Sequence, residues 1–173
     1  AIVAVFGDGA TEEGVYHECL NLAALYSLPV LFVCEDNGLA VHTGLRDRQA
    51  FDMVKQAELY GISSTLIEDG NDLLAIEDAA RKLLEELRGG AGPRFMLVRT
   101  CRWREHVGPG EDFNAGYRDL DAARPWMDGD PLRRWADLVS PMEAEITRQI
   151  DDAVAFAEAS PMPSLSDLLT DVG

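Results

Sequence analysis

Two oxygen-bearing side chains stand just past short apolar runs. Asp8 sits in Gly7-Asp8-Gly9 after Ile2-Val3-Ala4-Val5-Phe6, and Asn37 closes Cys34-Glu35-Asp36-Asn37 after Val30-Leu31-Phe32-Val33. A carboxylate, an amide oxygen and one main-chain carbonyl from the loop after Asn37 make three hard oxygen donors. That set suits Mg²⁺ or Ca²⁺ and leaves positions for water and for phosphate oxygens. Gly9 and Ala10 begin a helical stretch, where free backbone N–H groups hold a phosphate. Gly7 and Gly9 permit close approach because neither carries a Cβ. A second cluster gathers Arg99, Arg102, Arg104 and His106 in a chain with 31 acidic and 15 basic residues. Guanidinium groups answer a phosphorylated anion bidentately, and the competing use for them is pairing with the chain's own carboxylates. His42, in a polar loop, reads as solvated.

The elements that must position these groups follow from the apolar pattern. Both runs are too short for helices and rich in β-branched residues, so each is expected to be a strand buried on both faces. Between them Thr11 is placed to cap a helix with Val15, Cys19, Leu22, Ala23 and Tyr26 on its packed face. Strand, glycine turn, helix and strand form a βαβ unit. A parallel crossover then brings Asp8 and Asn37 to neighbouring strand tips, roughly 10 Å apart or less given strand spacings of about 5 Å. Gly-Asp-Gly alone is an ordinary turn; the flanking strand and helix and the matched Asn make it a candidate site.

The same alternation continues along the chain. Residues 51–60 read as helical and Ser64 to Ile67 as a strand. Asp69-Gly70-Asn71 forms a turn, and Leu73 to Leu87 is an amphipathic helix closed by Gly89-Gly90. Phe95-Met96-Leu97-Val98 is a fourth, buried strand. The expected fold is α/β, an open and mostly parallel sheet with helices on both faces. Residues 1–173 are read as a single domain, with a loop over 107–131 and a helical tail over 132–173. In that tail Ile146, Ile150, Val154, Phe156 and Ala157 form the expected buried stripe, and Leu165, Leu168, Leu169 and Val172 are spaced to dock a neighbour.

Gly-Asp-Gly-Ala-Thr-Glu-Glu-Gly (7–14), Leu-Asn-Leu-Ala-Ala-Leu-Tyr-Ser-Leu-Pro-Val (20–30) and Cys-Glu-Asp-Asn (34–37) resemble the thiamine-diphosphate signature. They look most like the alpha subunit of the first, decarboxylating component of 2-oxo acid dehydrogenase complexes, of pyruvate, acetoin or branched-chain type. The resemblance spans nearly the whole chain and implies a thiamine-diphosphate-binding fold of the diphosphate-binding type. It implies Mg²⁺ held by Asp8, Asn37 and the backbone of Leu39, and cofactor contacts from Gly7, Asp8, Gly9, Ala10, Asn37, Leu39, Arg102 and His106. His106 is the implied catalytic residue. The departures are Asp36 in place of a common Asn, Leu39 in place of a common Tyr, and Val107 where the family often has a phosphorylated Ser. The implied activity is oxidative decarboxylation of a small 2-oxo acid with acyl transfer to lipoamide on an acyltransferase. The implied partner is a beta subunit in a heterotetramer, or a second copy of the chain. The chain opens inside a strand and is read as a carboxyl-terminal portion of such a subunit. A transketolase-like, non-oxidative half and a non-catalytic interaction module are the other two classes the sequence permits.

A net charge of −16 argues against nucleic-acid and anionic-membrane partners. Cys19, Cys34 and Cys101 lack metal-type spacing and are expected to be reduced core residues of a cytoplasmic protein. No apolar run is long enough to span a bilayer.

Overall fold

A computed structural model describes residues 1–170. Four strands run parallel: β1 (Ile2–Gly7), β2 (Val30–Asp36), β5 (Ser63–Ile67) and β6 (Arg94–Arg99). Their order is β1-β2-β6-β5. β2 and β6 are therefore central and β1 and β5 are edges. A two-stranded hairpin, β3 (Leu39–Ala40) with β4 (Thr43–Gly44), stands beyond the tip of β2.

Strand alternation sorts the core into two layers. Phe32 and Cys34 of β2 and Phe95 and Leu97 of β6 face helices α1 (Gly14–Leu25) and α3 (Met53–Leu59). Leu31, Val33, Met96 and Val98 face Leu83 and Leu87 of α4 (Leu73–Arg88). Helices thus cover both faces of the parallel sheet, as the alternating pattern predicts.

Around β1 and the helix after it, three expectations need correction. β1 is not buried on both faces, since Val3 and Val5 are 48% and 60% exposed. It is an edge strand, and no described helix covers their side. Helix α1 packs through Tyr16, Leu20 and Ala23, whereas Val15, Leu22, Tyr26 and Cys19 are exposed. The helix is apolar almost all round, so sequence spacing offered two faces, and the one carrying Tyr16 meets Phe6. Thr11 does not cap it. Residues Asp8–Glu12 form a separate 3₁₀ turn in which the Thr11 hydroxyl donates to the Asp8 carbonyl at 2.7 Å.

Residues 112–131 hold more order than a loop. Phe113–Ala115 is a 3₁₀ turn and α5 (Leu120–Asp128) is a helix that contains Pro125 and is capped by Asp119. The chain folds as two compact units, the first spanning Ala1–Pro131 and the second beginning at Leu132. Around and beyond that boundary come short helices α6 (Pro131–Arg134) and α7 (Ala136–Val139), then α8 (Glu143–Ala159) and a 3₁₀ turn Leu165–Leu169 with a Ser164/Asp167 capping box. The stripe of α8 is not buried: Ile146, Ile150, Val154 and Phe156 are 46–77% exposed. No described element of its own unit covers that face. Val172 lies outside the described residues.

Candidate functional site

The site is built at the carboxyl tips of β1 and β2, where Gly7 pairs with Glu35. Asp8 follows directly and turns inward, 1% exposed, and its carboxylate accepts a hydrogen bond from the Asn37 backbone amide. Asn37 Oδ1 accepts from the Leu39 amide at 2.9 Å, and Asp36 Oδ1 accepts from the Gly38 amide at 2.9 Å. Two consecutive side chains therefore fold the segment after β2 back on itself. Gly38, with φ 75°, takes the left-handed conformation this turn requires. At Gly9 a Cβ would stand 2.9 Å from the Ala40 Cβ, so only glycine fits beneath the hairpin.

The electrostatics are dominated by two buried carboxylates. Burial first, and then the neighbouring Asp36 charge, push the Asp8 carboxyl above the usual carboxylate range, while Arg48 opposes the shift. Arg48, from the one-turn helix α2 (Leu45–Arg48), engages both Asp8 and Glu12. Arg99 engages Asp36 directly across the β2–β6 ladder. Sequence spacing gives no sign of the Arg48 contact, because it joins residues far apart in the chain.

The second cluster does not converge on one point. Arg99 turns to Asp36, and Arg104 is exposed and paired with Glu111 at 3.3 Å. His106 is exposed, on a loop pinned where the Glu105 amide donates to the Gly110 carbonyl at 3.0 Å. Arg102 lies beside the first cluster, since it shares a cleft lining with Asn37 and Leu39. One of its terminal nitrogens reaches the Val41 carbonyl at 3.1 Å, the Tyr117 hydroxyl at 2.9 Å and Asp112 at 3.3 Å. Its Nε and other terminal nitrogen are buried without a partner among the described residues. The cleft that Arg102 lines measures about 270 Å³, and its lining also includes Asn37, Leu39, Arg118, Ala123 and Trp126 among others. Arg118 carries no signal in the sequence. It pairs with Asp112 and lies over the Phe113 ring at 4.0 Å. His42 is exposed, as expected, with its ring 4.7 Å from that of Tyr117.

Residues 1–166 match the dehydrogenase E1 component family. The chain belongs to that family. It is 35% identical, over 98% of its length, to the alpha subunit of an acetoin:2,6-dichlorophenolindophenol oxidoreductase of Bacillus subtilis, covering 53% of that relative. It is also 35% identical to the chloroplastic pyruvate dehydrogenase E1 component subunit alpha-3 of Arabidopsis thaliana, over 98% of this chain and 42% of the relative. The chain therefore spans about half the length of the curated relatives it matches. Among solved structures, a transketolase from Campylobacter jejuni superposes with a TM-score of 0.50 at 19% identity, covering 56% of this chain and 15% of that one. That likeness shows a shared fold. No described helix is long and apolar enough to cross a membrane.

The residues present fit the divalent cation and the phosphorylated cofactor that the sequence resemblance implies. A buried carboxyl whose ionised form is disfavoured by burial and by a second carboxylate is relieved by a divalent cation, and the amide oxygen of Asn37 keeps a lone pair after accepting from the Leu39 amide. Arg102, a cation lining the adjoining cleft with two guanidinium nitrogens left without a partner, fits an anion.

Proposed function

We propose that this chain is the metal- and diphosphate-holding part of a thiamine-diphosphate-dependent 2-oxo acid dehydrogenase, its alpha subunit, working with a beta subunit. One observation carries the reading: the buried Asp8 carboxylate and the Asn37 turn meet at adjacent strand tips, beside a cleft that Asn37, Leu39 and Arg102 line. Asp8, Asn37 and the Leu39 carbonyl would hold Mg²⁺, which anchors the diphosphate. The amides of Gly9 and Ala10 and the guanidinium of Arg102 would take phosphate oxygens, with Gly7 admitting the close approach. When bound, thiamine diphosphate supplies the electron sink for losing CO₂ from a small 2-oxo acid.

His106 has a different task. From its exposed loop it would orient substrate, or the lipoamide of an acyltransferase that accepts the acyl group. Val107 follows it, so kinase control through a hydroxyl at that position is not expected. The free cysteines fit a reducing compartment such as the cytoplasm.

Calorimetry with thiamine diphosphate and Mg²⁺, with and without the candidate beta subunit, tests the binding role. Heat of binding that needs Asp8 and Asn37 is expected, and its loss in Asp8→Ala should be complete. Turnover of 2-oxo acids with an artificial electron acceptor tests the oxidative chemistry. Ketol transfer without such turnover would reassign the chain to the non-oxidative thiamine enzymes.

A further inference from the structure

Where the proposed function seats a divalent cation, the chain already presents a cation of its own. The guanidinium of Arg48 engages Asp8 with one terminal nitrogen and Glu12 with the other, and its Nε donates to the Thr43 carbonyl at 3.3 Å. The Arg48 side chain is 9% exposed and that of Asp8 1%. We propose that Arg48 is the resident counter-cation of the ion seat. It compensates Asp8 and Glu12 while the seat is free, and it leaves Asp8 when a divalent ion enters, carrying its end of α2 outward. This rests on reading Asp8 as a metal ligand.

Three features of the geometry point this way. First, the two cations exclude one another. Mg²⁺ bonds a carboxylate oxygen at about 2.1 Å, and the guanidinium already sits on Asp8 Oδ2. Two positive groups on one buried carboxylate repel with little water to screen them. Second, Asp8 and Asp36 lie close enough for the charge of one to act on the other, and Arg99 is engaged with Asp36. Without Arg48 the free seat would hold an uncompensated buried carboxylate, so the arginine belongs to the ion-free state. Third, α2 is lightly held. It has four residues, none buried, no side-chain cap, and a closing hydrogen bond from the Gln49 amide to the Leu45 carbonyl at 3.0 Å. Its first residue is anchored, since Leu45 packs against the core and its amide donates to the Gly38 carbonyl at 2.9 Å, so the outward move is one of the Arg48 end. The hairpin before it turns through Val41 at φ 56°, a conformation a β-branched residue adopts only under strain. That strain is close at hand to be released when the segment shifts.

The test titrates Mn²⁺ alone, without any diphosphate, into the full-length protein in its assembly, following free ion by electron paramagnetic resonance. Arg48→Met is expected to bind Mn²⁺ roughly tenfold more tightly than wild type, because no ion pair has to break. Arg48→Lys, which keeps a cation, is expected to bind about as wild type does. In the wild-type protein, amide exchange across residues 45–49 should quicken when Mn²⁺ binds. Equal or weaker binding by Arg48→Met, with wild-type binding intact, overturns the role of Arg48 and leaves the metal site standing. No Mn²⁺ binding by any of the three proteins overturns both. Should Arg48→Met fail to fold, the exchange measurement decides, and unchanged exchange on Mn²⁺ binding overturns the proposal.

Discussion

Asp36 is the residue whose substitution separates charge from shape at the strand tip. Its Oδ1 shapes the turn by accepting from the Gly38 amide, and its other oxygen engages Arg99. Asn would keep the first contact and drop the charge. Since the Arg99 side chain is 41% exposed, the lost ion pair should cost under about 1 kcal/mol. Ala would drop both and leave a part-buried amide unpaired, at about 1–3 kcal/mol. Urea unfolding should therefore rank wild type, Asp36→Asn and Asp36→Ala in descending stability, and an Asn variant as unstable as the Ala variant would contradict the turn's role. A parallel contrast holds for the arginines. Arg102→Met removes a cation that lines the cleft, whereas Arg104→Met removes an exposed partner of Glu111. Calorimetry with Mg²⁺ and thiamine diphosphate should show a loss of at least about tenfold for the first and less than about twofold for the second.

At the scale of elements, the tie between the β5 edge and the tip of β6 is the contact that steadies the cleft. The Gly70 amide donates to the Arg99 carbonyl at 3.0 Å, and a Cβ at Gly70 would fall far inside contact distance of that oxygen and against Val98. Gly70→Ala must push the loop away from β6. A cost of about 1–3 kcal/mol is expected, with faster amide exchange at residues 99–102. Unaltered exchange there would mean the loop moves without disturbing β6. The elements legible in the sequence are those whose pattern is local: β2 and β6 as continuous apolar runs, and α4 with its apolar stripe and its stop at Gly89. What was not legible depends on position in the sheet or on distant partners. Edge placement of β1 follows from strand order, which no local pattern encodes. Helix α5 was hidden by Pro125, whose missing N–H breaks the usual signal although Ala123 is buried. The Arg48–Asp8 pair joins elements that only the folded chain brings together.

For the whole molecule, the core layer between the sheet and α1 carries two ionisable groups that answer to pH as a unit of the fold. Burial pushes the Cys34 thiol far above its ordinary 9.0 and the Tyr16 phenol above its ordinary 10.0. Both belong to the cluster that contains Leu20, Phe32 and Phe95. Because the folded chain keeps these protons longer than the unfolded chain, the stability they represent is fully present below pH 9 and drains away above it. The unfolded thiol ionises first and gains about 1.4 kcal/mol per pH unit over the folded one. Above pH 10 the unfolded phenol adds a similar slope. Cys34→Ala removes the first of these contributions. The variant should start less stable at pH 7, because the thiol fills space beside Met53 Sδ at 3.9 Å. Its stability should then decline less steeply between pH 9 and 11, so that the two unfolding curves converge. Curves that remain parallel across that range would show that the thiol ionises as readily inside the fold as outside it. The packed layer beneath β1 and β2 would then admit water, and the burial that holds Asp8 at the neighbouring strand tips would be weakened with it.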